Sequence, residues 1–520
     1  MSSLELRSPS RPAGPERRGA NTRRAVPWIF VALALLIVAG GWLRFASLGR
    51  LSFWADEFPH AIAAKSMIAG HGPTLPSGLQ YRRAYAQTAA VAASMKMFGE
   101  NETAARFPSA LVGLATIPLV WLAVRRRFGD MAALAAAAVI ALMPLHVAHS
   151  RSARFYAAFV VAYGVAAVLC SRAITTRSWR TGLAGLAAFA VALHLQVAGI
   201  VLVAPLALYG LLAWRSAPSE ERHGRALAML AFAVLVVLGA VVVAIVPSIR
   251  DGVVRIVRHP VPDLSLDPGL HLATLGNLFG LVAWWAWIPL LPASIAGIRR
   301  AGLEGGNLAL QLVVPPVLLA VFFRSSDGPG LDRRYLVHFA PFLAAVVGVG
   351  VAEIIRFVSA RRASVGFAPA VALLAGAVSV SGVFGVWAMP TAAHPGRVIP
   401  RPNWKAAASA IRAAGGTRDA LLGTEPLALA WSVGRCGDWL RIPSAAEPFM
   451  HGPRDILCGS ELVGDAAATT RYLQTHPRGW VVADPTSWKR LVSPGARAVI
   501  ETAARRVNVG DDTVLLWRWG

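Results

Sequence analysis

Apolar blocks about as long as a bilayer is thick recur along this chain of 520 residues. A helix that crosses a bilayer needs ~20 apolar residues, because its backbone groups can only hydrogen-bond to one another there. Charged residues make up 15% of the sequence, whereas soluble domains carry about 25%. We therefore predict a polytopic α-helical membrane protein with about 11 transmembrane helices. The predicted spans are residues 26–48, 107–124, 131–148, 155–171, 181–196, 197–214, 226–247, 276–298, 307–323, 335–355 and 366–388.

Arginine clusters occupy alternate connections between the apolar blocks, as at 125–127 and 299–300. Basic loops stay on the cytoplasmic side of a membrane, so these clusters orient the chain as a multi-pass protein of the cytoplasmic membrane. Residues 1–25 are then a disordered cytoplasmic tail, whereas 49–106 and 390–520 face outward. Because the net charge of +24 follows from this placement, we do not expect a nucleic-acid partner.

The chain divides into an apolar region, residues 26–389, and a mixed region, residues 390–520. Helical and strand-like stretches alternate in the second region, which predicts a small extracytoplasmic α/β domain. Asn403 is expected to cap its first helix. Cys436 and Cys458 lie 22 residues apart and either form a disulfide in an oxidising compartment or remain two free thiols.

The stretch "FWADEFPH" places Asp56 and Glu57 at the mouth of the first span, at the start of the first outer loop, residues 49–106. A short helix is predicted directly after them, with Asp56 as its N-cap. Capping accounts for one carboxylate but not for two acids beside a basic outer loop. Because acids at a membrane face are costly and usually functional, we predict that Asp56 is a catalytic base and that Glu57 assists it.

Several arginines lie in the outward-facing loops, where the positive-inside rule does not expect them, so their presence there requires an explanation. A bound anion at the outer membrane surface is one, because guanidinium groups bind phosphate through two parallel hydrogen bonds. Contact with lipid headgroups is the alternative. The candidates for binding the phosphate or the substrate are Arg82, Arg83, Arg151, Arg154, Tyr156, Arg333, Arg334 and Tyr335.

One base and several arginines suit sugar transfer from a lipid-linked phosphate. Phosphate is already a weakly basic leaving group, so only the acceptor hydroxyl needs a base, and the arginines stabilise the developing phosphate charge. The sequence has no P-loop. We expect the protein to require neither a cofactor nor a divalent metal, and we predict no metal site. Glu102 and Arg106, four residues apart, are expected to form an ordinary helical ion pair.

Five stretches resemble one known family: "FWADEFPH", "GENETAARFPSALVGLATIPLVW", "ALMPLHVAHSRSARFYA", "DRRYLVHFAPFL" and "NWKAAASAIRAAGGTRDALL". They are similar to bacterial membrane glycosyltransferases of the family 39 type, which include aminoarabinose transferases and protein O-mannosyltransferases. The resemblance implies the C-type glycosyltransferase fold and an inverting transfer from a polyprenyl-phosphate donor. It places Asp56 at the catalytic Asp of the first loop and Glu57 at its acidic neighbour. Ser152 stands where many relatives carry an acid.

The predicted function is transfer of a sugar from a polyprenyl-phosphate donor to a hydroxyl acceptor, a lipid, glycan or protein, at the outer face. Two alternatives remain open. A transporter or flippase for polyprenyl-linked glycans would need ionisable residues within the spans, which are nearly free of acids. A non-catalytic binding protein would use residues 390–520 as its working part.

Overall fold

The computed structural model describes residues 27–222, 268–322, 333–359, 401–446 and 449–520. The predicted tail 1–25 and the predicted spans 226–247 and 366–388 lie outside these residues. The helices of the apolar region are α1 (Pro27–Phe45), α2 (Phe58–Ile68), α3 (Tyr85–Phe98), α4 (Glu102–Phe128), α5 (Asp130–Leu142), α6 (Pro144–Ser150), α7 (Tyr156–Thr176), α8 (Trp179–Leu195), α9 (Val203–Arg215), α10 (Pro268–Phe279), α11 (Trp287–Arg300), α12 (Gly302–Phe322) and α13 (Ala340–Ser359).

Among the described residues, six helices are long and apolar enough to cross a membrane, or up to eight if each bent pair counts as one span. The predicted span 276–298 is wrong as a single helix, because α10 and the segment Trp284–Arg300 are bent by 89°. The predicted span 131–148 is α5 and α6, bent by 59°. Met143 is extended there, as residues before a proline such as Pro144 tend to be. The predicted polytopic helical fold is confirmed.

Helix α5 lies at the centre of the membrane-type bundle, with every residue from Ala132 to Ala141 buried. It packs against α1, α4 and α13. Small side chains let such helices approach closely, and a Cβ atom at Gly348 of α13 would collide with the backbone carbonyl of Ala132. Helix α1 instead leaves large apolar side chains such as Leu35 and Val38 exposed. An outer face of this kind suits contact with lipid.

The C-terminal region is a small α/β fold, as predicted. Its sheet has the strand order β5-β2-β1-β6-β8-β7, in which the first four strands are parallel and the last two are antiparallel additions. Its elements are α14 (Trp404–Ala413), β1 (Ala420–Gly423), α15 (Pro426–Ser432), β2 (Asp438–Leu440), α16 (Pro443–Ala446), β3 (Met450–His451), β4 (Arg454–Asp455), β5 (Leu462–Val463), α17 (Ala466–Thr475), β6 (Gly479–Ala483), α18 (Pro485–Leu491), α19 (Pro494–Ala503), β7 (Arg505–Val507) and β8 (Leu515–Trp519). The side chain of Asn403 caps α14 by accepting a hydrogen bond from the Ala406 amide at 3.2 Å.

The first outer loop and the α/β region share one hydrophobic core. Phe53 and Phe58 of the loop are fully buried in the same cluster as Trp404 and Leu427 of the α/β region. The rings of Phe53 and Trp431 lie 4.9 Å apart. Helix α15 packs on α2, so the sheet is fixed against the segment that carries Asp56.

Candidate active site

Asp56 lies in a 3₁₀ turn, Ala55–Glu57, between the end of α1 and the start of α2. The expectation that Asp56 caps the following helix is wrong. Glu57 occupies the N-cap position of α2 but makes no capping bond to it, and its carboxylate instead accepts the backbone N–H of Trp54 at 2.9 Å. Pro59 fits in the first turn of α2, where no amide hydrogen is needed. The Asp56 side chain makes no capping bond and is 44% exposed.

Arginines from separate parts of the chain surround the Asp56 carboxylate. Arg154 donates to Oδ2 of Asp56 at 2.7 Å, and Nη1 of Arg334 lies 3.9 Å from the same oxygen. Burial raises the pKa of Asp56, but the charges of Arg154, Arg334 and Arg83, in that order, outweigh it and the pKa is lowered. The structure thus brings together four residues predicted for the site, and Asp56 is ionised at neutral pH.

Arg154 is held from several sides. Its guanidinium carbon lies 4.7 Å from the ring centroid of Tyr156 and 5.5 Å from that of Phe155. Its backbone carbonyl accepts the Ser109 hydroxyl at 3.0 Å, and that hydroxyl accepts from Gln87 at 3.0 Å. Stacking on aromatic rings suits a planar cation and limits its rotation. Arg154 is therefore a fixed charge, and Tyr156 supports it with its ring.

Glu57 has a different environment from its neighbour, although the sequence predicts both as catalytic. Its carboxylate is fully buried and accepts hydrogen bonds from Arg106 at 2.9 and 3.1 Å. It also accepts from the Ala153 amide at 2.8 Å and lies 3.4 Å from Arg401. Burial raises the pKa of Glu57, but Arg106 and then Arg401 lower it to about 2. Because this carboxylate is fully buried and hydrogen-bonded, we expect Glu57 to position the loop rather than to act as a catalytic group.

Arg106 does not form the predicted ion pair with Glu102. In addition to Glu57, it donates to the carbonyls of Leu48 at 2.9 Å, Leu51 at 2.8 Å and Ser52 at 2.9 Å. Glu102 pairs instead with Lys405 of the α/β region at 3.0 Å. The buried Glu57 carboxylate and the three carbonyls accept hydrogen bonds from all three guanidinium nitrogens of Arg106. A single ion pair on a helix surface would leave some of these donors without a protein partner.

Arg151 caps a helix and does not face the site. Its guanidinium donates to the carbonyls of Leu43 at 2.8 Å, Arg44 at 3.2 Å and Ala46 at 2.8 Å, at the end of α1. These carbonyls have no partner within the helix, and a cation suits the negative end of its dipole. We therefore expect Arg151 to stabilise the end of α1, whereas the sequence predicts that it binds phosphate or substrate.

Replacing Arg151 with Gln is expected to lower the free energy of unfolding by about 1–3 kcal/mol, because it leaves acceptors at the end of α1 unpaired. Affinity for polyprenyl phosphate should stay within about twofold of the native value, since we expect this side chain to make no contact with the lipid. Thermal unfolding and lipid binding of the purified protein measure the two quantities. Lost lipid affinity at unchanged stability would contradict the assignment.

The remaining predicted arginines differ in their surroundings. Arg83 is exposed, with its guanidinium carbon 5.3 Å from the Phe155 ring centroid. Arg82 is exposed and makes no hydrogen bond or ion pair within the part of the chain described here. The Arg334 guanidinium lies 5.0 Å from the Tyr335 ring, which places Tyr335 behind it. Arg333 begins the short 3₁₀ turn Arg333–Tyr335, and its side chain lies outside the described residues.

Three residues behind Asp56 were not singled out in the sequence. His60 is fully buried, with Nδ1 2.9 Å from the Thr88 hydroxyl and Nε2 3.4 Å from the Tyr81 hydroxyl. Burial, then the charges of Arg154 and Arg83, lower the pKa of His60 to about 3. The imidazole is neutral, so it supports the site without adding charge. Its position four residues after Asp56, one helical turn on, is the signal that the sequence offers.

Cys436 and Cys458 form a disulfide, with their Cα atoms 6.0 Å apart. Cys458 is buried in the core shared with the first outer loop. The turn that carries Cys458 is held by Asp455, whose carboxylate accepts the backbone amides of Leu457, Cys458 and Ser460. The covalent link therefore joins two loops at the face of the α/β region that meets the catalytic loop.

The chain was compared with known families, curated proteins and solved structures. Residues 85–243 match the family described as dolichyl-phosphate-mannose-protein mannosyltransferase, a range that includes Arg154 but not Asp56. No curated protein matches the sequence.

ArnT from Cupriavidus metallidurans is similar in structure, both bound to undecaprenyl phosphate (TM-score 0.60) and in its apo state (TM-score 0.57). Its sequence is 16% identical, and the match covers 94% of this chain and 98% or 97% of that chain. An oligosaccharyltransferase from Archaeoglobus fulgidus matches with a TM-score of 0.52 at 12% identity, over 91% of this chain and 71% of that chain. The resemblance found in the sequence is thereby confirmed: the protein has the C-type fold of these membrane glycosyltransferases, and residues 85–243 match the mannosyltransferase family.

Proposed function

We propose that the protein transfers a sugar, with inversion, from a polyprenyl-phosphate donor to a hydroxyl acceptor at the outer face of the cytoplasmic membrane. One observation carries the proposal: a partly exposed carboxylate, Asp56, lies among the guanidinium groups of Arg154, Arg334 and Arg83. Three positive charges around one negative charge leave the site suited to a further anion. The undecaprenyl phosphate bound to the similar ArnT structure supports a lipid of this class.

The reaction places different demands on the base and on the arginines. The acceptor oxygen attacks the anomeric carbon from the face opposite the phosphate, and its proton passes to Asp56. The bond between the anomeric carbon and the phosphate oxygen breaks, and the electron pair leaves with polyprenyl phosphate. The phosphate gains a negative charge in this step, so fixed cations such as Arg154 and Arg334 stabilise the transition state more than the ground state. This transfer requires no metal and no organic cofactor.

The ion pair of Asp56 with Arg154 also bears on proton transfer. While the pair is intact, the pKa of Asp56 is lowered and the carboxylate is a weak base. A donor phosphate that engages Arg334 and Arg154 competes with Asp56 for the same cations. Because less positive charge then remains for the carboxylate, its proton affinity rises when the donor is bound. The donor thereby prepares the base that its own transfer requires.

The two disulfide-bonded cysteines support an extracytoplasmic position for the α/β region, because disulfides persist in oxidising compartments. That position puts Asp56 and the α/β region on one side of the membrane, opposite the arginine-rich connections. The orientation is tested by labelling single cysteines, introduced at exposed positions such as Glu461 and Arg126, with a reagent that does not cross membranes.

Replacing Arg334 or Arg83 with Gln is expected to weaken binding of undecaprenyl phosphate about tenfold or more, because each change removes a charge-assisted contact to phosphate. Arg82→Gln is the matched control, since Arg82 adjoins Arg83 but makes no described contact, and its affinity should stay within about twofold. Binding of a fluorescent lipid analogue to protein in nanodiscs measures all three. Equal weakening by Arg82→Gln would mean that only general surface charge attracts the lipid.

Release of free polyprenyl phosphate from purified polyprenyl-phospho-sugars tests the function itself. Proteoliposomes with the native protein should release the phosphate and pass the labelled sugar to material in the native cell envelope. If the labelled lipid instead crosses the bilayer with its sugar still attached, the protein is a flippase and the proposal is wrong.

A further inference from the structure

The sheet of the α/β region has its strand order reversed at one point. From β1 the chain proceeds to β2 and β5 on one side, and then crosses through α17 to β6 on the other side of β1. In open parallel sheets a crevice forms outside the carboxyl ends of the strands at such a point, and ligands bind there. By this rule, the strand order places the crevice between the ends of β1 and β6.

Polar residues follow directly after three adjacent parallel strands and meet at this edge. Arg441 follows β2, Thr424 and Glu425 follow β1, and Asp484 follows β6. We call these four residues the sheet-edge cluster. The Thr424 hydroxyl lies 3.3 Å from Oδ2 of Asp484, and the Arg441 guanidinium carbon lies 5.0 Å from the centroid of the Trp439 ring. The first contact orients Thr424 and Asp484 toward each other, and the second orients Arg441.

The Glu425 carboxyl group has no hydrogen-bond partner within the described residues, although it precedes α15 in the capping position. Burial, and then the negative charge of Asp484, raise the pKa of Glu425, whereas the positive charge of Arg441 lowers it. Asp56 and Asp455 raise it by smaller amounts, and the resulting pKa is about 8. Glu425 is therefore protonated at neutral pH and carries an unused donor and acceptor. The influence of Asp56 places both carboxyl groups in one electrostatic environment.

The shared core fixes the distance between the cluster and the catalytic loop. Pro426, the residue after Glu425, begins α15, and α15 packs on α2, which begins two residues after Asp56. Leu427 of α15 and Phe58 of α2 are buried in the same core. The crevice at the end of β1 is thus held beside the site of proton transfer.

We propose that the sheet-edge cluster binds the acceptor, and that this acceptor is an uncharged carbohydrate whose free hydroxyl reaches Asp56. This inference rests on the proposed transferase function. A protonated carboxyl, a carboxylate, a hydroxyl and a guanidinium together offer the mixed donors and acceptors that neighbouring sugar hydroxyls require. An anionic acceptor would instead meet the carboxylate of Asp484 and would compete with the donor phosphate for the arginines around Asp56.

The acceptor class is tested with a donor that carries a radiolabelled sugar and three fractions of the native cell envelope: polysaccharide, lipid and protein. Label should enter the polysaccharide and should not enter polysaccharide whose vicinal diols have been oxidised with periodate. Label confined to lipid or protein overturns the inference while leaving the transferase function intact. If no donor releases polyprenyl phosphate at all, the proposed function fails and the inference fails with it.

The cluster is tested by Glu425→Leu, which removes both the donor and the acceptor, and by Asp484→Asn, with Glu461→Gln as the control. Glu461 lies in the same region, with a side chain that is 67% exposed and paired with Arg454. The two cluster variants should each raise KM for the polysaccharide about tenfold or more, at unchanged affinity for undecaprenyl phosphate, and the control should not. Asn retains the capping of α18 by residue 484, so folding is preserved. Unchanged KM in both cluster variants overturns the assignment.

A pH profile separates binding from a merely structural role. KM of the native protein for the polysaccharide should rise as pH passes about 8, because Glu425 loses its proton there and with it one hydrogen-bond donor. The charges that face this group are those of Asp484, Arg441, Asp56 and Asp455. Glu425→Gln should remove the rise, whereas a rise that persists in this variant counts against Glu425 as an acceptor contact.

Discussion

Asp56→Asn is expected to lower the turnover of polyprenyl-phospho-sugar by about 10²–10⁴-fold, the range that a general base contributes. Asn has the same shape as Asp but cannot take the proton of the acceptor hydroxyl. The affinity for undecaprenyl phosphate should be unchanged or higher, because a negative charge next to Arg154 and Arg334 is lost. Turnover and lipid binding of purified protein in nanodiscs measure the two effects separately.

The stability of this variant provides its control. The Asp56 side chain is 44% exposed, so the loss of its ion pair should change the thermal midpoint little. Native turnover in Asp56→Asn, at matched expression, would remove Asp56 from the mechanism. Lost turnover together with lost lipid binding would indicate a collapsed site instead of a missing base.

The pH dependence of the native protein follows from the same ion pairs. A base acts while it is deprotonated, and a lowered pKa keeps Asp56 deprotonated to more acidic pH. The acid limb of kcat/KM should therefore lie below the usual aspartate pKa of about 3.9. Arg334→Gln removes one of the charges that lower this pKa, so the limb should shift to higher pH. An acid limb that does not move in this variant would contradict the contact.

Arg106→Leu is expected to lower the free energy of unfolding by about 3–5 kcal/mol, because the buried Glu57 carboxylate loses both hydrogen bonds from Arg106 and keeps only the longer contact with Arg401 as a charged partner. The carbonyls of Leu48, Leu51 and Ser52 lose donors in the same change. Since the pKa of Glu57 is lowered to about 2, the stabilisation is present above the unfolded carboxyl pKa of about 4.3 and is lost as pH falls toward 2. The apparent thermal midpoint in detergent measures the loss.

Two further variants sharpen this result. Lys65→Met breaks an exposed ion pair with Glu100 in the same outer loop, and should cost about 0–1 kcal/mol. Arg106→Leu combined with Glu57→Leu removes the buried carboxylate together with its main partner, and should recover part of the loss. The recovery is incomplete, because Arg401 then loses its contact with Glu57. An unchanged midpoint in Arg106→Leu would mean that the buried pair does not hold the loop.

The sequence predicts the elements of this protein better than their contacts. Hydropathy located the described spans, because burial in lipid selects composition over windows of about 20 residues. The same windows could not detect the 89° bend between α10 and the next helical segment, since a bend changes direction and not composition. The alternation of helical and strand-like stretches in the α/β region was predicted as well, because it depends on local signals.

Among the site residues too, local signals were visible in the sequence and contacts between distant segments were not. Asp56 stood out because an acid at a membrane mouth is costly, whatever its partners are. Arg151 and Arg106 were assigned from their neighbours in sequence, yet their acceptors lie 104–108 and 49–58 residues away. An arginine beside a span can bind an anion or cap a helix, and only the fold decides which. Glu425 carried no signal at all, because its environment comes from β2, β6 and the first outer loop.

The core shared by the first outer loop and the α/β region has a consequence for biosynthesis. Arg401 contacts Glu57 from 344 residues away, and Lys405 likewise reaches Glu102. The segment with Asp56 therefore leaves the ribosome long before the residues that enclose it, and Phe53 and Phe58 lack their contacts in the α/β region until that region has been translated. We expect a chain that stops before the α/β region to leave apolar surface of the first outer loop exposed, to be open to proteolysis and to lack activity.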